Sequence, residues 1–156
     1  MPRPVLHEPN DELRKISEGV SLDRVATPEM KLLIDELKET MGKEHGVGIA
    51  APQIGVHDRV IIAETDGIPT AYINPEITER SFRMVESEEG CLSVPGCWGV
   101  VKRHRSVSVK ATLENGETIV RKAQGLLSII FQHEIDHLDG ILFIDRAEKI
   151  RKASAL

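Results

Sequence analysis

Apolar side chains recur at helical spacing in one long stretch near the start of the chain. Thr27 there is a favourable N-cap residue, and Pro28 suits the first position of a helix. The pattern predicts a long helix that ends near Glu44, preceded by a short helical turn from Pro9-Asn10 to Lys15. The apolar positions that define its buried face are Met30, Leu33, Ile34, Leu37 and Met41.

The middle of the chain has the patterns of β-strands. Residues 59–64 are a short apolar run followed by the turn dipeptide Asp66-Gly67, and residues 70–84 contain further extended pieces. Residues 106–113 alternate between apolar and polar, and Asn115-Gly116 then predicts a hairpin turn. One face of that strand is predicted to carry Val107, Val109, Ala111 and Leu113.

Helical spacing returns between residues 124 and 138, where Leu126, Leu127, Ile130, His133 and His137 lie on or near one face. Asp139-Gly140 is predicted to end this helix. A last short helix is predicted over residues 146–154, with Asp145 as its cap. The order of helix, several strands and helix favours an α+β fold over a repeated β-α-β unit.

Composition narrows the class of protein. A chain of 156 residues predicts one domain, residues 1–156. The net charge of −5 and the 3% of aromatic residues argue against a DNA-binding or membrane-binding surface. No apolar run approaches the roughly 18 residues of a membrane span, and the first residues lack a secretory signal. The only cysteines are Cys91 and Cys97, which favours the reducing cytoplasm over a disulfide scaffold.

The segment "HEIDH" places two histidines four residues apart, with Glu134 beside the first. On a helix, His133 and His137 then share one face and can bind one cation, while the glutamate serves as general base for a water molecule. The alternative is a pair of ordinary histidines on an amphipathic helix. A catalytic metal needs a third protein ligand. Metallopeptidase patterns do not supply it, because Phe143 stands where a third histidine would and only Glu148 lies further on.

Cys91 is the stronger candidate for that third ligand. A thiolate binds borderline metals well, and Gly90 before it allows close approach of the backbone. Cys97 competes for the role, but its setting "PGCWG" is interpreted as a tight turn. A lone cysteine is more often a small buried apolar residue. A second unusual stretch, residues 45–55, is rich in glycine and contains Gln53, whose amide can donate to an oxyanion; it also fits a simple connector.

Three motifs together resemble the peptide deformylase family. They are "GVGIAAPQ" (residues 46–53), "EGCLS" (residues 89–93) and "HEIDH" (residues 133–137), in the family's order and at similar separations. Most of the chain shares the resemblance. It implies mixed, mainly antiparallel strands packed around a central metal-binding helix, with a long N-terminal helix and a short C-terminal one.

The resemblance also implies a reaction. Cys91, His133 and His137 would hold one divalent metal ion, typically Fe²⁺, with Zn²⁺, Ni²⁺ or Co²⁺ as alternatives. Glu134 would take a proton from water and pass it to the leaving amine. The formyl group on the N-terminal methionine of a newly made polypeptide would leave as formate. Gln53 and the backbone N–H of Leu92 would stabilise the oxyanion.

Further residues are implied around the substrate and the metal. An apolar pocket for the methionine side chain is predicted from Leu126, Ile129 and Ile130. The backbone of Gly48 and Gly90 is predicted to pair with the peptide as an added strand.

Asp136 is predicted to pair with Arg103 and so support a metal-bound histidine. Trp98 stands where some relatives carry a substrate-binding arginine.

Residues 146–156 are basic, with Arg146, Lys149, Arg151 and Lys152 against Glu148. They predict contact with ribosomal RNA, although a solvated helix end is an equal explanation.

Two other functions stay open. One is a different metal hydrolase, such as a peptidase with the same histidine helix. The other is a binding domain with a structural metal site, which normally has four protein ligands.

Overall fold

The structure, a computed structural model, describes residues 1–152 of the chain. Two 3-10 helices cover Asp11–Arg14 and Ala51–Ile54. The α-helices are α1 (Leu22–Val25), α2 (Pro28–Lys43), α3 (Leu126–Leu138) and α4 (Phe143–Arg146). The strands are β1 (Gly48–Ala50), β2 (Val60–Thr65), β3 (Ile68–Arg80), β4 (Met84–Cys91), β5 (Val94–His104), β6 (Ser106–Thr112), β7 (Thr118–Gln124) and β8 (Glu148–Lys152).

The named strands form two antiparallel sheets. One has five strands in the order β1-β2-β3-β6-β7, and the other has three in the order β4-β5-β8. Helix α3 contacts β1, β2, β6 and β7 of the larger sheet and β5 of the smaller one. The predicted α+β class with mainly antiparallel strands is therefore confirmed. Among the helices of residues 1–152, none is long and apolar enough to cross a membrane.

Helix α2 covers one side of the larger sheet. The Thr27 hydroxyl accepts a hydrogen bond from the Met30 N–H at 3.2 Å, which satisfies a donor that the first helical turn leaves unpaired. The buried face packs in one apolar cluster with Ile49, Val60 and Ile62 of β1 and β2. Its members from α2 are Met30, Leu33, Ile34, Leu37 and Met41.

Helix α3 is buried more completely than α2 because structure surrounds it on more sides. Phe131 packs edge-on against Tyr72 of β3, with ring centroids 4.9 Å apart. The helix ends at Leu138, and Gly140 follows with φ +73°, a conformation that few other residues adopt. A Cβ atom at Gly140 would overlap the Arg14 backbone carbonyl. This glycine therefore lets the chain turn sharply beside the first 3-10 helix.

Two local predictions are wrong. Residues 94–104 form β5, so Cys97 lies in a strand, and the turn precedes this strand at Leu92-Ser93. The short C-terminal helix over residues 146–154 is replaced by β8, which pairs with β5 opposite Cys97 and Trp98. A helix there would have little to bury, because Ile150 is the one large apolar residue between 148 and 152. Residues 153 and 154 of that prediction lie outside the described residues.

Asp145 also has a different role from the predicted one. It lies inside α4, where its carboxylate accepts the Leu142 N–H at 2.9 Å and binds Arg14. The short helix α4 is thereby fixed against the N-terminal segment. The predicted strands around residues 59–64 and 106–113 correspond to β2 and β6, and residues 115–116 lie in the β6–β7 hairpin.

Candidate metal centre

Helix α3 and the end of strand β4 bring three ligand-type side chains together. The helical spacing places the rings of His133 and His137 on one face, with centroids 5.2 Å apart. Cys91, the last residue of β4, points its Sγ atom at His137 Nε2 across 3.3 Å. One ligand atom from each of these three residues lies within 4.8 Å of the other two. Cys97 does not belong to this group within residues 1–152.

The donor set fits a tetrahedral divalent ion. Metal–sulfur and metal–nitrogen bonds of ordinary length place such ligand atoms roughly 3.3–3.6 Å apart, close to the observed separation of Cys91 and His137. The His133 Nδ1 atom is occupied by Glu89, which leaves Nε2 for a metal. Among residues 1–152 the group has three protein ligands, so the arrangement resembles a catalytic site more than a closed structural one.

A buried carboxylate that the sequence analysis missed holds His133 in place. Glu89 Oε1 accepts from His133 Nδ1 at 2.8 Å, and Arg103 donates to both Glu89 oxygens at 2.8 and 2.9 Å. Arg103 also donates to Asp136 at 2.8 Å, so the structure places that expected pair together. Glu89 lies two residues before Cys91 at the end of β4, and both side chains face helix α3, where Glu89 contacts His133 and Cys91 contacts His137. That spacing within "EGCLS" was the available signal.

These contacts shift the ionisation of the buried groups. Burial by itself would raise the pKa of Glu89, but hydrogen bonds from Arg103 and His133 lower it to about 2. Burial raises the pKa of Glu134 to about 7. Burial opposes protonation of His133, yet Glu134, Cys91 and Glu89 together raise its pKa well above the usual value. Burial lowers the pKa of His137 well below its usual value. The two imidazoles are therefore held in different electrostatic surroundings.

Glu134 is positioned tightly beside the histidines. Its Oε1 atom is buried and has no hydrogen-bond partner among residues 1–152. A Cβ atom at Gly48 would lie 2.6 Å from Glu134 Oε2 and 2.9 Å from Ile130 Cγ2. Only glycine leaves room for the carboxylate in its observed position, so β1 forms one wall of the space around Glu134.

Gln53 approaches the same centre from the second 3-10 helix. Its Oε1 atom accepts from the Ala50 N–H at 2.9 Å, which fixes the direction of the amide. Its Nε2 atom therefore donates, to Ser93 Oγ at 3.1 Å and toward Cys91 Sγ at 3.7 Å. Leu92 lies in the turn between β4 and β5, immediately after Cys91. The structure thus places an amide donor and a backbone turn next to the thiol.

A cavity of about 650 Å³ opens onto these groups. Cys91, His133, Glu134, Gln53 and Leu92 all line it. So do the five residues predicted to bind substrate, Gly48, Gly90, Leu126, Ile129 and Ile130. Asp136 and Arg103 lie behind this surface, on the side of the Glu89–His133 hydrogen bond.

Trp98 forms part of the same cavity wall, with its indole ring beside Gly90. A Cβ atom at Gly90 would lie 2.8 Å from the indole ring. The ring thus occupies the place of a side chain on β4, and half of its surface is exposed. This gives the cavity an aromatic rim beside the edge strand β4.

The chain is similar to many known proteins over nearly its whole length. Residues 2–153 match the family model described as polypeptide deformylase. A peptide deformylase of Desulforudis audaxviator is 44% identical over 97% of this chain and 92% of that protein. One of Heliobacterium modesticaldum is 49% identical over 74% of this chain and 76% of that protein.

Solved structures share the fold. The Met-Ala-Ser bound class I type b peptide deformylase from Acinetobacter baumannii superposes with a TM-score of 0.91 at 38% identity, covering 94% of this chain and 98% of that one. The peptide deformylase of Thermotoga maritima superposes with a TM-score of 0.90 at 34% identity, covering 95% of this chain and 99% of that one.

Proposed function

The chain belongs to the polypeptide deformylase family, and from that premise we propose which of its residues perform the family's reaction. It is a metal-dependent hydrolase that removes the formyl group from the N-terminal formylmethionine of newly made polypeptides and releases formate. We propose that residues 1–156 form one catalytic domain that works in the cytoplasm. Helix α3 is then its central metal-binding helix, with α2 as the long N-terminal helix.

Cys91, His133 and His137 hold one divalent ion in this proposal. The mixed sulfur and nitrogen donors suit Fe²⁺, which we propose as the native metal, and they also suit Zn²⁺, Ni²⁺ and Co²⁺. When bound, the ion supplies Lewis-acid polarisation of the formyl carbonyl and makes a water molecule easier to deprotonate.

The residues around the metal site transfer the proton and stabilise the oxyanion. Glu134 accepts a proton from the attacking water and later donates it to the leaving α-amine. Water adds to the formyl carbon, the C–N bond breaks, and formate and a free amine result. Gln53 Nε2 and the Leu92 N–H donate hydrogen bonds to the carbonyl oxygen as it gains charge. The fixed direction of the Gln53 amide, set by Ala50, supports this role.

The substrate peptide runs along the cavity in this proposal. Strand β4 is an edge strand of its sheet, so the backbone at Gly90 can pair with an added strand, and Gly48 of β1 lines the same cavity. Leu126, Ile129 and Ile130 then contact the methionine side chain. The Acinetobacter baumannii relative was solved with Met-Ala-Ser bound, and a peptide of this kind fits the size of the cavity described above.

The observation that carries the proposal is the convergence of Cys91, His133 and His137 in one ligand group, with Cys91, His133 and Glu134 on the wall of one cavity. The test is anaerobic purification with metal analysis, followed by a formate-release assay. We expect about one ion per chain and formate release from formyl-Met peptides. Cleavage of unformylated peptides at internal bonds, without formate release, would instead support a peptidase. A fourth protein ligand with no turnover would support a structural metal site.

Replacing Gly48 by alanine is expected to lower kcat/KM by about 10- to 100-fold. The new Cβ atom would lie 2.6 Å from Glu134 Oε2, so the carboxylate must leave its observed position. Metal content should stay unchanged, because the three atoms nearest to the new Cβ belong to Glu134 and Ile130 and to none of the three ligands. Formate release and metal analysis on the same preparation measure both effects.

Gly42→Ala is the matched control for that substitution. Gly42 lies in α2, and a Cβ atom there would meet nothing within 4 Å. Activity should be unchanged, and stability should stay level or rise by up to about 1 kcal/mol, since alanine favours helix over glycine. Full activity in Gly48→Ala would show that the position of Glu134 is not confined as observed.

We also propose that the basic C-terminal segment contacts the ribosome. Arg146 and Arg151 pair with Asp136 and Glu88, whereas Lys149 and Lys152 are exposed. Replacing both lysines by glutamate should weaken binding to ribosomes and reduce the slope of log K against log salt by about 1 to 2. Lys110→Glu with Lys122→Glu is the charge-matched control. Equal binding by both double variants would place the contact elsewhere.

A further inference from the structure

Asp136 joins two arginines, one buried and one at the surface. Arg103 donates to its Oδ2 atom at 2.8 Å from the inner side. Arg146 of α4 donates through Nε to Oδ2 at 2.8 Å and through Nη2 to Oδ1 at 3.1 Å from the outer side. Both carboxylate oxygens are therefore engaged, and the Arg146 contact is bidentate, the geometry that holds a carboxylate most firmly.

From Asp136 the hydrogen bonds continue to a metal ligand. Arg103 donates hydrogen bonds to both carboxylate oxygens of Glu89, and Glu89 accepts a hydrogen bond from His133 Nδ1. The hydrogen bonds that connect Arg146 to His133 have donor–acceptor distances of 2.8 to 3.1 Å. Exposure falls inward, from 46% for the Arg146 side chain to 14% for Asp136 and 4% for Arg103. The outermost group thus closes a network whose inner members are shielded from water.

Helix α4 touches His133 by a second, direct route. Phe143, at the start of α4, lies nearly parallel to the His133 ring with centroids 6.2 Å apart. Arg146 is at the other end of the same four-residue helix. One face of the imidazole is therefore supported by α4, while the Nδ1 atom is held by the network that Arg146 closes.

We propose that Arg146 is a positioning residue for the metal centre, acting through Asp136, Arg103 and Glu89 on the orientation of His133. The proposal rests on the metal site proposed above. Without the Arg146 guanidinium, the Asp136 carboxylate can rotate toward water. Arg103 then loses the fixed hydrogen-bond partner that orients its guanidinium toward Glu89. Groups that orient metal-bound histidines in this way typically change metal affinity by 10- to 100-fold when removed. Arg146 is more remote, so its effect is smaller.

A second surface ion pair, which has no hydrogen bond to the metal centre, provides a close control for the Arg146–Asp136 pair. Arg24 binds Asp58 through both nitrogens at 2.9 and 3.2 Å. Its side chain is 47% exposed and that of Asp58 is 18% exposed, almost the values of the Arg146–Asp136 pair. Loss of either arginine removes a similar interaction from the protein surface.

The experiment compares Arg146→Ala, Arg146→Lys and Arg24→Ala in the full chain. The measurement is the dissociation constant for Zn²⁺ by competition with a chelator, together with the visible spectrum of the Co²⁺ form and thermal unfolding without metal. We expect Arg146→Ala to weaken Zn²⁺ binding by about 3- to 10-fold and to change the Co²⁺ spectrum. Arg146→Lys should recover part of the affinity, because lysine keeps the charge and loses the fork.

Arg24→Ala should bind Zn²⁺ as tightly as the unmodified protein, although its metal-free stability falls by as much as that of Arg146→Ala. Equal loss of Zn²⁺ affinity in both alanine variants would mean general destabilisation and overturn the proposal, as would unchanged affinity in Arg146→Ala. Failure of the proposed function looks different. In that case the unmodified chain binds Zn²⁺ or Co²⁺ but releases no formate, and the order of the variants in metal affinity is unaffected.

Discussion

Glu134→Gln is expected to lower kcat for formate release by about 10²- to 10⁴-fold while the protein keeps its metal ion. The carboxylate is buried beside His133 with one oxygen free of protein partners among residues 1–152. Glutamine has nearly the same shape, so the packing against Gly48 and Ile130 is preserved, but its amide cannot carry the proton from water to the amine. Metal analysis and single-turnover formate release measure the two effects separately.

Glu117→Gln is the matched control for this change. Glu117 is exposed between β6 and β7 and is not among the residues that line the cavity. Its kcat should equal that of the unmodified protein. A Glu134→Gln variant with full metal content and a rate within tenfold of normal would remove Glu134 from the role of general base.

The fold was predictable where one local signal dominates. The Thr27-Pro28 start and the apolar stripe that follows specify α2, and a buried face is enough to place that helix against a sheet. Strand β8 was not predictable in this way. Its residues are all exposed, so no periodic apolar pattern marks it. Hydrogen bonds to β5 decide its conformation, and a partner more than 40 residues away leaves no trace in a short window of sequence.

The candidate site divides similarly. The spacing of His133, Glu134 and His137 predicts their geometry directly, because one helical turn brings both histidine rings to one face. Cys91 and Gln53 were candidates from their chemistry and their glycine-rich surroundings, but only the motif resemblance joined them to the histidines, since nothing local says that β4 ends beside α3. Glu89 was missed because its importance depends on Arg103 and His133 meeting it from two other elements. Pairwise proximity across elements is a property of the packed structure.

Cys91→Ser is expected to abolish stoichiometric metal binding and to lower formate release by roughly 10³-fold or more, beyond the about 100-fold that loss of a supporting hydrogen bond costs. The Sγ atom faces His137 Nε2 and lies with both histidines in the one ligand group of residues 1–152. A serine hydroxyl is a harder and far less acidic donor than a thiol, so it does not replace the thiolate for Fe²⁺ or Zn²⁺. Metal content per chain and formate release provide the measurement.

Cys97→Ser separates the ligand role from the general effect of losing a cysteine. Both cysteines are unpaired and half-buried, both line the cavity, and both pack against the same apolar cluster, so the packing cost of each substitution is similar. Cys97 lies in β5 outside the ligand group, so its variant should keep one ion per chain and turn over within about twofold of normal. If the two variants lost metal equally, or if Cys97→Ser alone lost it, the thiolate would have been assigned to the wrong strand of the β4–β5 hairpin. The comparison therefore tests the assignment on which the roles of His133, His137 and Glu134 depend, because among residues 1–152 Cys91, and not Cys97, forms one ligand group with both histidines.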